Sequence, residues 1–419
     1  MKFQSLKGMD DLVFPEISDW QALEEKARVF LEAYGFREIR TPILESTELF
    51  SRSIGEASDI VHKEMYTFED RGARSLTLRP EMTAGVVRSV LEHGLLKQGE
   101  PVFLYYIGPM FRAERPQAGR KRQFHQIGVE TLNTHSYVND VELIVMACDF
   151  LTGLGLKDFS VSLNHLGSEE DRKNFALSLE KYFQSVRDKL CNDCQFRLSR
   201  NVLRILDCKT DSCQPLISKA PKAELSGNAK TEFDQVCSRL KESKIPFRIE
   251  PRLVRGLDYY TGLVFETTAA GLGSQNAVLA GGRYDHLIHD LGGPETGASG
   301  FSIGVERLAS ALEASGVHLG EALSKQSVYV AAIVNHEENC SFYRNIAQGL
   351  AQAGRRSHFS FAKGSLTSHL SRANKLNVGF ALIVGEEEWQ KGEVSLKNMA
   401  SGVQKRVKPD QLAQAFEGF

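Results

Sequence analysis

The residues best suited to chemistry lie in the stretch RLVRGLDYYTG, at positions 252–262. Within it Arg255 is a permanent cation, Asp258 is an anion, and Tyr259 and Tyr260 are adjacent phenols, all set among apolar neighbours. The apolar neighbours predict a buried strand, but a purely structural strand would carry Val or Ile on its buried face. The polar excess therefore indicates a functional site without saying for which ligand.

A second polar segment, FRAERPQAGRKRQFHQIGVE, spans positions 111–130. Its centre contains Pro116 and Gly119 and no hydrophobic residue other than alanine, so it predicts a loop between two strands. Several guanidinium groups on such a loop suit a polyphosphate, because arginine pairs with phosphate oxygens bidentately. Phe124, just after the loop, could stack on an aromatic base. The alternative is a solvated basic hairpin tip.

Two further segments combine polar groups with glycine or a strand end. RPEMTAG, at 79–85, places Glu81 and Thr83 where they could clamp an ammonium group if the strand continued. The alternative is a helix N-cap by Thr83, or Glu81 in a structural salt bridge. AGGRYDHLI, at 280–288, pairs a predicted glycine turn with Arg283, and GASGFSIGVERL, at 297–308, predicts a glycine-rich strand leading into a helix.

The cysteines and one histidine leave alternatives open. Four cysteines give a C-x2-C pair followed by a C-x4-C pair, at Cys191, Cys194, Cys208 and Cys213. Four thiolates at this spacing could form a closed, structural zinc site, and the alternative is four reduced cysteines.

His125 is a general base by residue type, but it neighbours Gln126 on a predicted strand and should face the opposite side, as a structural or dimer-facing residue.

The surrounding pattern predicts the elements that position these residues. Apolar spacing predicts a helix over 18–34, and strands are predicted at 36–43, 74–80, 102–107 and 123–132. Few helices separate them, which favours an α+β domain with a largely antiparallel sheet. The sequence between about 168 and 240 is charged and has a helical pattern, and we interpret it as an insertion inside this domain.

A second domain is predicted beyond residues 314–327. Strands and helices alternate from 328 onward, which is typical of a small α/β domain with a mainly parallel sheet. We therefore expect domains at 1–325, including the insertion, and at 328–419. This second segment carries 11 Lys and Arg against 8 Asp and Glu, a net charge of +3 that permits RNA binding without establishing it.

The length and composition limit the kinds of protein that this chain can be. The chain has 419 residues, 42% of them hydrophobic and 25% charged, and a formal net charge of −2. Such a length predicts more than one domain, and the balance is that of a globular protein. No apolar run is long enough to span a bilayer, and the N-terminus has no signal-peptide core. We expect a cytoplasmic protein whose seven cysteines form no disulfide framework.

Five segments together resemble a known family. The strand ending at Pro42, FRAER…RQFHQ and GFSIGVERL resemble the three signature motifs of class II aminoacyl-tRNA synthetases. RLVRGLDYYTG and AGGRYDHLI resemble two peptides particular to the histidyl-tRNA synthetase family. The likeness runs nearly end to end, in the expected order. It implies a six-stranded antiparallel sheet with flanking helices, a helical insertion and a C-terminal α/β anticodon-binding domain.

The resemblance implies a role for individual residues. It implies ATP contacts from Arg112, Glu114, Arg120, Phe124 and Arg307. It implies a histidine pocket formed by Glu81, Met82, Thr83, Arg112, Gln126, Glu130, Arg255, Tyr259 and Tyr260. Within that set, Glu130 and Tyr260 would meet the two imidazole nitrogens. Arg112, Arg255 and Arg307 would be the catalytic groups, and Arg115 and Gln117 would approach the acceptor end of the tRNA.

The implied activity is the joining of L-histidine to tRNA(His), with ATP and Mg²⁺, by a homodimer. The zinc site is not required by the resemblance. The alternative is a catalytically silent relative, the histidine-sensing regulatory subunit of ATP phosphoribosyltransferase. A module that only binds nucleic acid would leave RPEMT and RGLDYY unexplained. Retention of Arg120, Arg255 and Arg307, and of the segment from 328 onward, favours the ligase.

Overall fold

The computed structural model describes residues 3–55, 58–97, 99–117, 119–273, 276–334, 340–361 and 364–419. The chain forms two compact units: Met1–Asp11 with Glu24–Val317, and Leu12–Leu23 with His318–Phe419. The division at 325–328 thus remains a proposal, and an N-terminal segment accompanies the C-terminal residues. In the described part of the chain, no helix is both long and apolar enough to cross a membrane.

The N-terminal part of the chain alternates short helices with strands of two sheets. In order these elements are α1 (Glu16–Ala33), β1 (Arg37–Glu38), β2 (Leu44–Ser46), α2 (Thr47–Ile54), β3 (Tyr66–Glu69), β4 (Ser75–Leu78), α3 (Thr83–Glu92), β5 (Val102–Phe111), β6 (Gln123–Leu132), α4 (Tyr137–Gly153) and β7 (Phe159–His165). A π-helical turn covers Ile60–Glu64. The helix predicted over 18–34 and the strand predicted over 123–132 are both present.

The segment after β7 is helical. It contains α5 (Glu169–Ser185), α6 (Asn192–Leu198), α7 (Gln214–Ile217) and α8 (Gly227–Glu242), with 3₁₀ turns at Arg187–Lys189 and Val202–Asp207. Helix α5 starts at a reciprocal cap, in which Ser168 Oγ accepts the N–H of Asp171 over 3.1 Å and Asp171 accepts the N–H of Ser168 over 2.9 Å. Phe175, Leu179 and Phe183 then line up on the buried face of α5.

The chain next returns to the main sheet through β8 (Phe247–Ile249), β9 (Leu263–Ala269), β10 (Ala277–Arg283), α9 (Leu287–Asp290), β11 (Ala298–Gly304) and α10 (Val305–Ala314). The sheet has eight strands in the order β1-β5-β6-β11-β10-β9-β7-β8. Its six central strands pair antiparallel throughout. The six strands expected are therefore present, and β1 and β8 widen the sheet by parallel pairing at its two edges.

Of the strand predicted over 36–43, only Arg37–Glu38 is a strand, and the next strand begins at Leu44, beyond Pro42. β1 lies at the edge of the main sheet, whereas β2 belongs to a separate antiparallel sheet of order β2-β4-β3. Pro42 lies between the two strands, where its missing N–H removes no ladder bond. The strand predicted at 74–80 is β4 of this small sheet.

The stretch 252–262 is a loop and not the predicted strand. Side chains take the carbonyl oxygens that a strand would offer to its neighbour. Asn164 donates to the carbonyl of Leu253 over 2.9 Å and to that of Pro251 over 3.3 Å, and Arg204 donates to the carbonyl of Gly256. Without a ladder partner the segment does not form a strand.

Two other local predictions were wrong. Gly281 and Gly282 lie inside β10 and not in a turn. A β-carbon at Gly281 would lie 2.3 Å from the carbonyl oxygen of Gly300 on β11, so the glycine allows close strand packing. Similarly, β4 ends at Leu78 and α3 begins at Thr83, so Glu81 and Thr83 are not placed together by strand alternation.

The second unit is a five-stranded α/β structure. Its elements are α11 (Gly320–Gln326), β12 (Val328–Ala332), α12 (Cys340–Gln352), β13 (Ser357–Ser360), α13 (Leu366–Lys375), β14 (Phe380–Val384), α14 (Glu386–Lys391), β15 (Val394–Asn398), β16 (Gln404–Val407) and α15 (Leu412–Glu417). The three strands β13-β12-β14 are parallel, as expected, and β15 and β16 add an antiparallel hairpin. The central β12 is buried throughout, which explains its continuous apolar sequence.

Candidate active site

A cavity lies over the main sheet. It is lined by residues of β5, β6, β10 and β11, by the starts of α3 and α10, and by the loop 253–262. Because side chains alternate along a strand, β6 presents Phe124, Gln126 and Glu130 to the cavity. The antiparallel core of the sheet therefore supplies the rigid floor of the site.

Glu130 occupies the buried inner end of the cavity. Thr83 donates from Oγ1 to Glu130 Oε1 over 2.6 Å, and the Tyr284 hydroxyl donates to Glu130 Oε2. The side chain of Glu130 is almost fully buried, and burial raises its pKa to about 8. Gly300 on the neighbouring strand makes room for it, since a β-carbon there would lie 2.2 Å from Glu130 Oε2.

Glu81 lies two residues before the start of α3 and lines the same cavity. Its carboxylate accepts the backbone N–H groups of Thr83 and Ala84 over 2.8 and 3.0 Å. These groups would otherwise be unsatisfied at the start of the helix, and they orient the carboxylate. Burial raises the pKa of Glu81. The helix start is thus capped, but the accepting side chain is Glu81 and not Thr83, whose own backbone N–H is one of the two donors.

Four tyrosines line the part of the cavity next to Glu130: Tyr106, Tyr259, Tyr260 and Tyr284. The ring centroids of Tyr259 and Tyr260 are 4.9 Å apart, and that of Tyr284 lies 5.5 Å from Tyr259. Burial raises the pKa of each phenol, that of Tyr260 to about 12. The hydroxyl groups therefore remain protonated hydrogen-bond donors and acceptors at neutral pH.

Gln126 and His125 lie on opposite faces of β6. Gln126 donates from Nε2 to Ser302 Oγ over 3.3 Å, and its Oε1 is buried without a hydrogen-bond partner among the described residues. Such a buried acceptor is costly unless a ligand donates to it. His125 is not part of the cavity lining; its backbone N–H and Nδ1 lie 3.0 and 3.1 Å from Glu306 Oε1.

Four arginines line the outer half of the cavity. Arg112 donates to the carbonyl oxygen of Pro80 over 3.0 Å, and its guanidinium carbon lies 5.0 Å from the ring centroid of Phe124. Arg120 pairs with Glu114 over 2.9 Å. These contacts hold both guanidinium groups in place, and that of Arg112 lies beside an aromatic ring.

The other two arginines come from distant parts of the sequence. Arg255 pairs with Glu266 on β9 over 2.6 Å, and its buried Nε has no hydrogen-bond partner among the described residues. Arg307, on α10, donates to the carbonyl oxygens of Gly119 and Ala277 over 2.8 and 3.0 Å. The cavity thus brings together four cations from three separate segments of the chain: the β5–β6 hairpin, the loop 252–262 and the start of α10.

The two halves of the cavity suit two chemically different ligands. The arginines and Phe124 suit a ligand with phosphate groups and an aromatic base. The tyrosines, Glu130 and Gln126 suit a small polar ligand that both donates and accepts hydrogen bonds. Since the two halves are continuous, the arrangement can hold both ligands against each other.

Comparison with known proteins identifies the family. A family model described as histidyl-tRNA synthetase matches residues 8–170 and 188–308. A second model, described as an anticodon binding domain, matches residues 327–418. The chain belongs to the histidyl-tRNA synthetase family.

Individual members of the histidyl-tRNA synthetase family match along the whole chain. A histidine–tRNA ligase of Halothermothrix orenii is 42% identical over 100% of this chain and 99% of its own. One of Prochlorococcus marinus is 46% identical over 96% of this chain and 94% of its own. The crystal structure of apo histidyl-tRNA synthetase from S. aureus has a TM-score of 0.77 at 31% identity, covering 99% of this chain and 100% of that chain.

The structure brings most of the residues inferred from the resemblance to the histidyl-tRNA synthetase family to one cavity. Those that line it are Glu81, Thr83, Arg112, Glu114, Arg120, Phe124, Gln126, Glu130, Arg255, Tyr259, Tyr260 and Arg307. Three do not. Met82 is buried in an apolar cluster with Tyr259 and Val86, and Arg115 and Gln117 are exposed on the hairpin between β5 and β6.

The sequence does not mark several side chains that contact the residues of the cavity. Tyr284 lies within AGGRYDHLI, and its hydroxyl donates to Glu130, but its position in that segment does not indicate this contact. Glu266 lies on a strand that carried no motif, so nothing in the sequence marked it as the partner of Arg255. Arg283, in the same signature as Tyr284, does not line the cavity and pairs instead with Asp140 over 2.8 Å.

Proposed function

We propose that this protein is a histidine–tRNA ligase that activates L-histidine with ATP and transfers the histidyl group to the 3′ end of tRNA(His). The observation that carries the proposal is a single cavity in which Arg112, Arg255 and Arg307 adjoin a polar pocket ending at Glu130. Family membership over the full chain supports it. Had the arginines faced separate cavities, they would not have served one nucleotide.

Histidine occupies the inner half of the cavity in this proposal. Glu130 and Tyr260 meet the two imidazole nitrogens, and Glu81, Thr83 and Gln126 meet the ammonium group. The unpaired Oε1 of Gln126 then acquires a donor, and Glu81 is already oriented by two backbone N–H groups. Pockets that hydrogen-bond a polar side chain can reject analogues lacking it by a factor of roughly 10⁴–10⁵.

ATP occupies the outer half. Phe124 stacks on the adenine, Glu114 approaches its amino group, and Arg120 and Arg307 meet the β- and γ-phosphates. Magnesium would accompany ATP and neutralise phosphate charge; the cavity offers Glu114 and Glu306 as oxygen ligands of the type that this ion prefers.

The chemical step needs positioning and electrostatic stabilisation. The histidine carboxylate attacks the α-phosphorus of ATP and pyrophosphate leaves, which gives histidyl-adenylate. Arg112 and Arg255 stabilise the charge that develops on the α-phosphate oxygens. Glu266 holds the guanidinium of Arg255 in place before ATP arrives, so little reorganisation is needed at the moment of reaction.

The second step transfers the histidyl group to the terminal adenosine of the tRNA. We assign Arg115 and Gln117 to the acceptor end, because both are exposed at the tip of the hairpin that also carries Arg112 and Arg120. The backbone of Gln117 exchanges two hydrogen bonds with Arg120, of 3.1 and 2.9 Å, which fixes the tip. The domain matched over 327–418 would read the anticodon.

Two further features complete the proposal: a homodimer and a cytoplasmic location. The dimer is supported by the small sheet next to Pro42, where Ile43 and Leu44 are 44% and 38% exposed and Phe68 is 47% exposed. A second copy would cover these apolar side chains. Light scattering on the purified protein tests the assembly, and cell fractionation tests the location.

The deciding experiment is histidine-dependent exchange of pyrophosphate into ATP. A ligase exchanges, and other amino acids do not replace histidine. The alternative, a histidine-sensing regulatory subunit, would bind histidine normally without exchange. Charging of tRNA(His) by the same preparation then tests the second step.

A further inference from the structure

The four cysteines of the insertion converge on one point. The Sγ atoms of Cys191, Cys194, Cys208 and Cys213 all lie within 4.8 Å of one another. None of the four lines the active-site cavity, and none is in a disulfide. Two pairs separated by 13 residues of chain between Cys194 and Cys208 have thus been folded into a single cluster.

The geometry of this cluster matches a single tetrahedral ion. Zinc bound by four thiolates has Zn–S bonds of about 2.3 Å, which places the sulfurs about 3.8 Å apart along the edges of a tetrahedron. Cys191 Sγ and Cys208 Sγ are separated by 3.8 Å. A multinuclear iron–sulfur cluster would hold its ligand sulfurs farther apart, and a disulfide would draw them together in pairs at about 2.05 Å.

Backbone N–H groups point at two of the sulfurs. The N–H of Cys191 donates to Cys213 Sγ over 3.3 Å, and that of Thr210 donates to Cys208 Sγ over 3.4 Å. A neutral thiol is a weak acceptor, whereas a thiolate accepts strongly. These donors therefore favour charged, metal-bound sulfur over four reduced thiols packed in a core.

The surroundings bury three of the four cysteines, and Cys191 is partly buried. Cys194 and Cys213 are fully buried and Cys208 is 6% exposed, and all three belong to the apolar core of the insertion. The intervening chain holds only the short α6 and a 3₁₀ turn. A segment with so little regular structure and so small a core needs a cross-link to keep one conformation.

We propose that Cys191, Cys194, Cys208 and Cys213 bind one Zn²⁺ ion as thiolates, and that this ion fixes the segment supporting the Arg255 loop. Binding releases the thiol protons and forms four Zn–S bonds, without oxidation or reduction. The resulting site is closed, so the ion is structural.

Two residues between the cysteine pairs, Asn201 and Arg204, bind the active-site loop. Arg204 donates from Nε to Asp258 Oδ1 over 3.1 Å and also donates to the carbonyl of Gly256. Asn201 donates to the same Asp258 oxygen over 3.0 Å. Val254 packs into the core of the insertion. Both chain neighbours of Arg255 are therefore held by the segment that the ion would fix.

The same segment holds the π-helical turn that contributes Ile60 to the cavity. Lys63 pairs with Asp193 over 2.7 Å, and Arg197 pairs with Asp59. Asp193 and Arg197 flank Cys194 in the sequence. Loss of the ion should therefore disturb both the turn and the Arg255 loop.

The first test is metal content and geometry in the intact chain. Protein purified under reducing conditions should contain one zinc per chain, and mercurial titration of the thiols should release it. Replacement by Co²⁺ should give the sulfur-to-cobalt charge-transfer and visible bands of a tetrahedral tetrathiolate site. No bound zinc and no such spectrum after reconstitution would overturn the proposal, as would finding the cysteines paired in disulfides.

The second test uses matched serine variants. Cys208→Ser should weaken Co²⁺ binding by roughly tenfold or more, since even partners outside the ligand set change affinity by 10- to 100-fold. Cys237→Ser, in helix α8 of the same insertion, and Cys148→Ser, in α4, should each retain one ion. Equal metal content in Cys208→Ser and the controls would contradict the assignment of ligands.

The proposed effect of the zinc ion on the position of the Arg255 loop rests on the proposed function. It is tested by a separate measurement, the kinetics of pyrophosphate exchange. Metal-free protein should lose kcat of pyrophosphate exchange at least about tenfold while its KM for histidine changes less, because Arg255 acts on the α-phosphate. Restored zinc should restore kcat. A metal-bound protein without exchange would refute the proposed function alone, whereas unchanged exchange on metal removal would refute the positioning role.

Discussion

Thr83 and Glu130 are joined by a hydrogen bond of 2.6 Å between Oγ1 and Oε1, deep in the cavity. Tyr284 donates to the second oxygen of the same carboxyl group. Both oxygens of Glu130 are therefore fixed before any ligand arrives, and the group can be aimed at one imidazole nitrogen. The helix start, the sheet and the β10–α9 connection each contribute one member of this arrangement.

Replacing Glu130 with Gln should lower kcat/KM for histidine in pyrophosphate exchange by about 10- to 100-fold. The reason is that glutamine keeps the size of the side chain but replaces one carboxyl oxygen with an NH₂ donor, and a buried polar group left without its partner costs about 1–3 kcal/mol. The KM for ATP should change little. A variant with normal histidine kinetics would show that Glu130 does not contact the imidazole.

The same substitution should change how stability depends on pH. Burial raises the pKa of Glu130 to about 8, so the folded chain binds this proton more tightly than the unfolded chain between about pH 4.3 and 8. Its contribution to the free energy of unfolding is thus present at low pH and is lost as the pH rises. Between pH 5 and pH 8 the free energy of unfolding of the wild type should fall by roughly 2–4 kcal/mol relative to that of Glu130→Gln. Chemical denaturation of both proteins at the two pH values measures this difference.

Replacing Arg255 with Ala should lower pyrophosphate exchange by about 10²–10³-fold, the usual effect of removing one group that stabilises transition-state charge. Histidine binding should remain measurable by calorimetry. Glu266→Gln serves as the matched control, because it keeps the guanidinium but removes the carboxylate that pairs with it over 2.6 Å. If histidine binding disappears together with exchange, Arg255 has a role in the inner pocket instead.

Adding one methyl group at Gly300 should block the histidine pocket. The β-carbon of Gly300→Ala would lie 2.2 Å from Glu130 Oε2 and 2.3 Å from the carbonyl oxygen of Val129, so the strand or the carboxyl group must shift. We expect at least a tenfold rise in KM for histidine. Gly153→Ala is the control, since its β-carbon meets nothing within 4 Å.

Removing residues 328–419 should spare pyrophosphate exchange and weaken charging of tRNA(His). The cavity is lined entirely by residues 60–307, whereas the anticodon-binding match begins at 327. Exchange and charging should be measured on the same preparation. Undiminished charging would contradict the assignment of this domain to the anticodon.

Local patterns in the sequence were sufficient for several of the regular elements. The alternation through 123–132 predicted β6 and put Gln126 and His125 on opposite faces, and only Gln126 lines the cavity. The alternation of strands and helices from 328 onward likewise predicted the parallel pairing of β12 with β13 and β14. These features depend on neighbours along the chain, which the sequence displays directly.

Contacts between distant residues were beyond sequence reasoning. The 252–262 segment has strand-like composition, but its carbonyl groups are taken by Asn164 and Arg204 from elsewhere in the chain. The acid that orients Arg255 lies on a strand without a motif. The sequence similarly left two alternatives for the four cysteines of the insertion, a zinc site or four reduced thiols. The fold shows that their Sγ atoms lie within 4.8 Å of one another.

The parallel pairing of β7 with β8 limits how far this chain could be shortened. Val161 lies opposite Phe247 and Leu163 opposite Ile249, so both strands run in the same direction. A tight turn joins only antiparallel strands, and a parallel pair needs a return path of at least a dozen residues. A shortened chain would therefore need another connection of that length, because a hairpin would remove the edge strand of the sheet. The new connection would also have to hold the Arg255 loop, as Asn201 and Arg204 do.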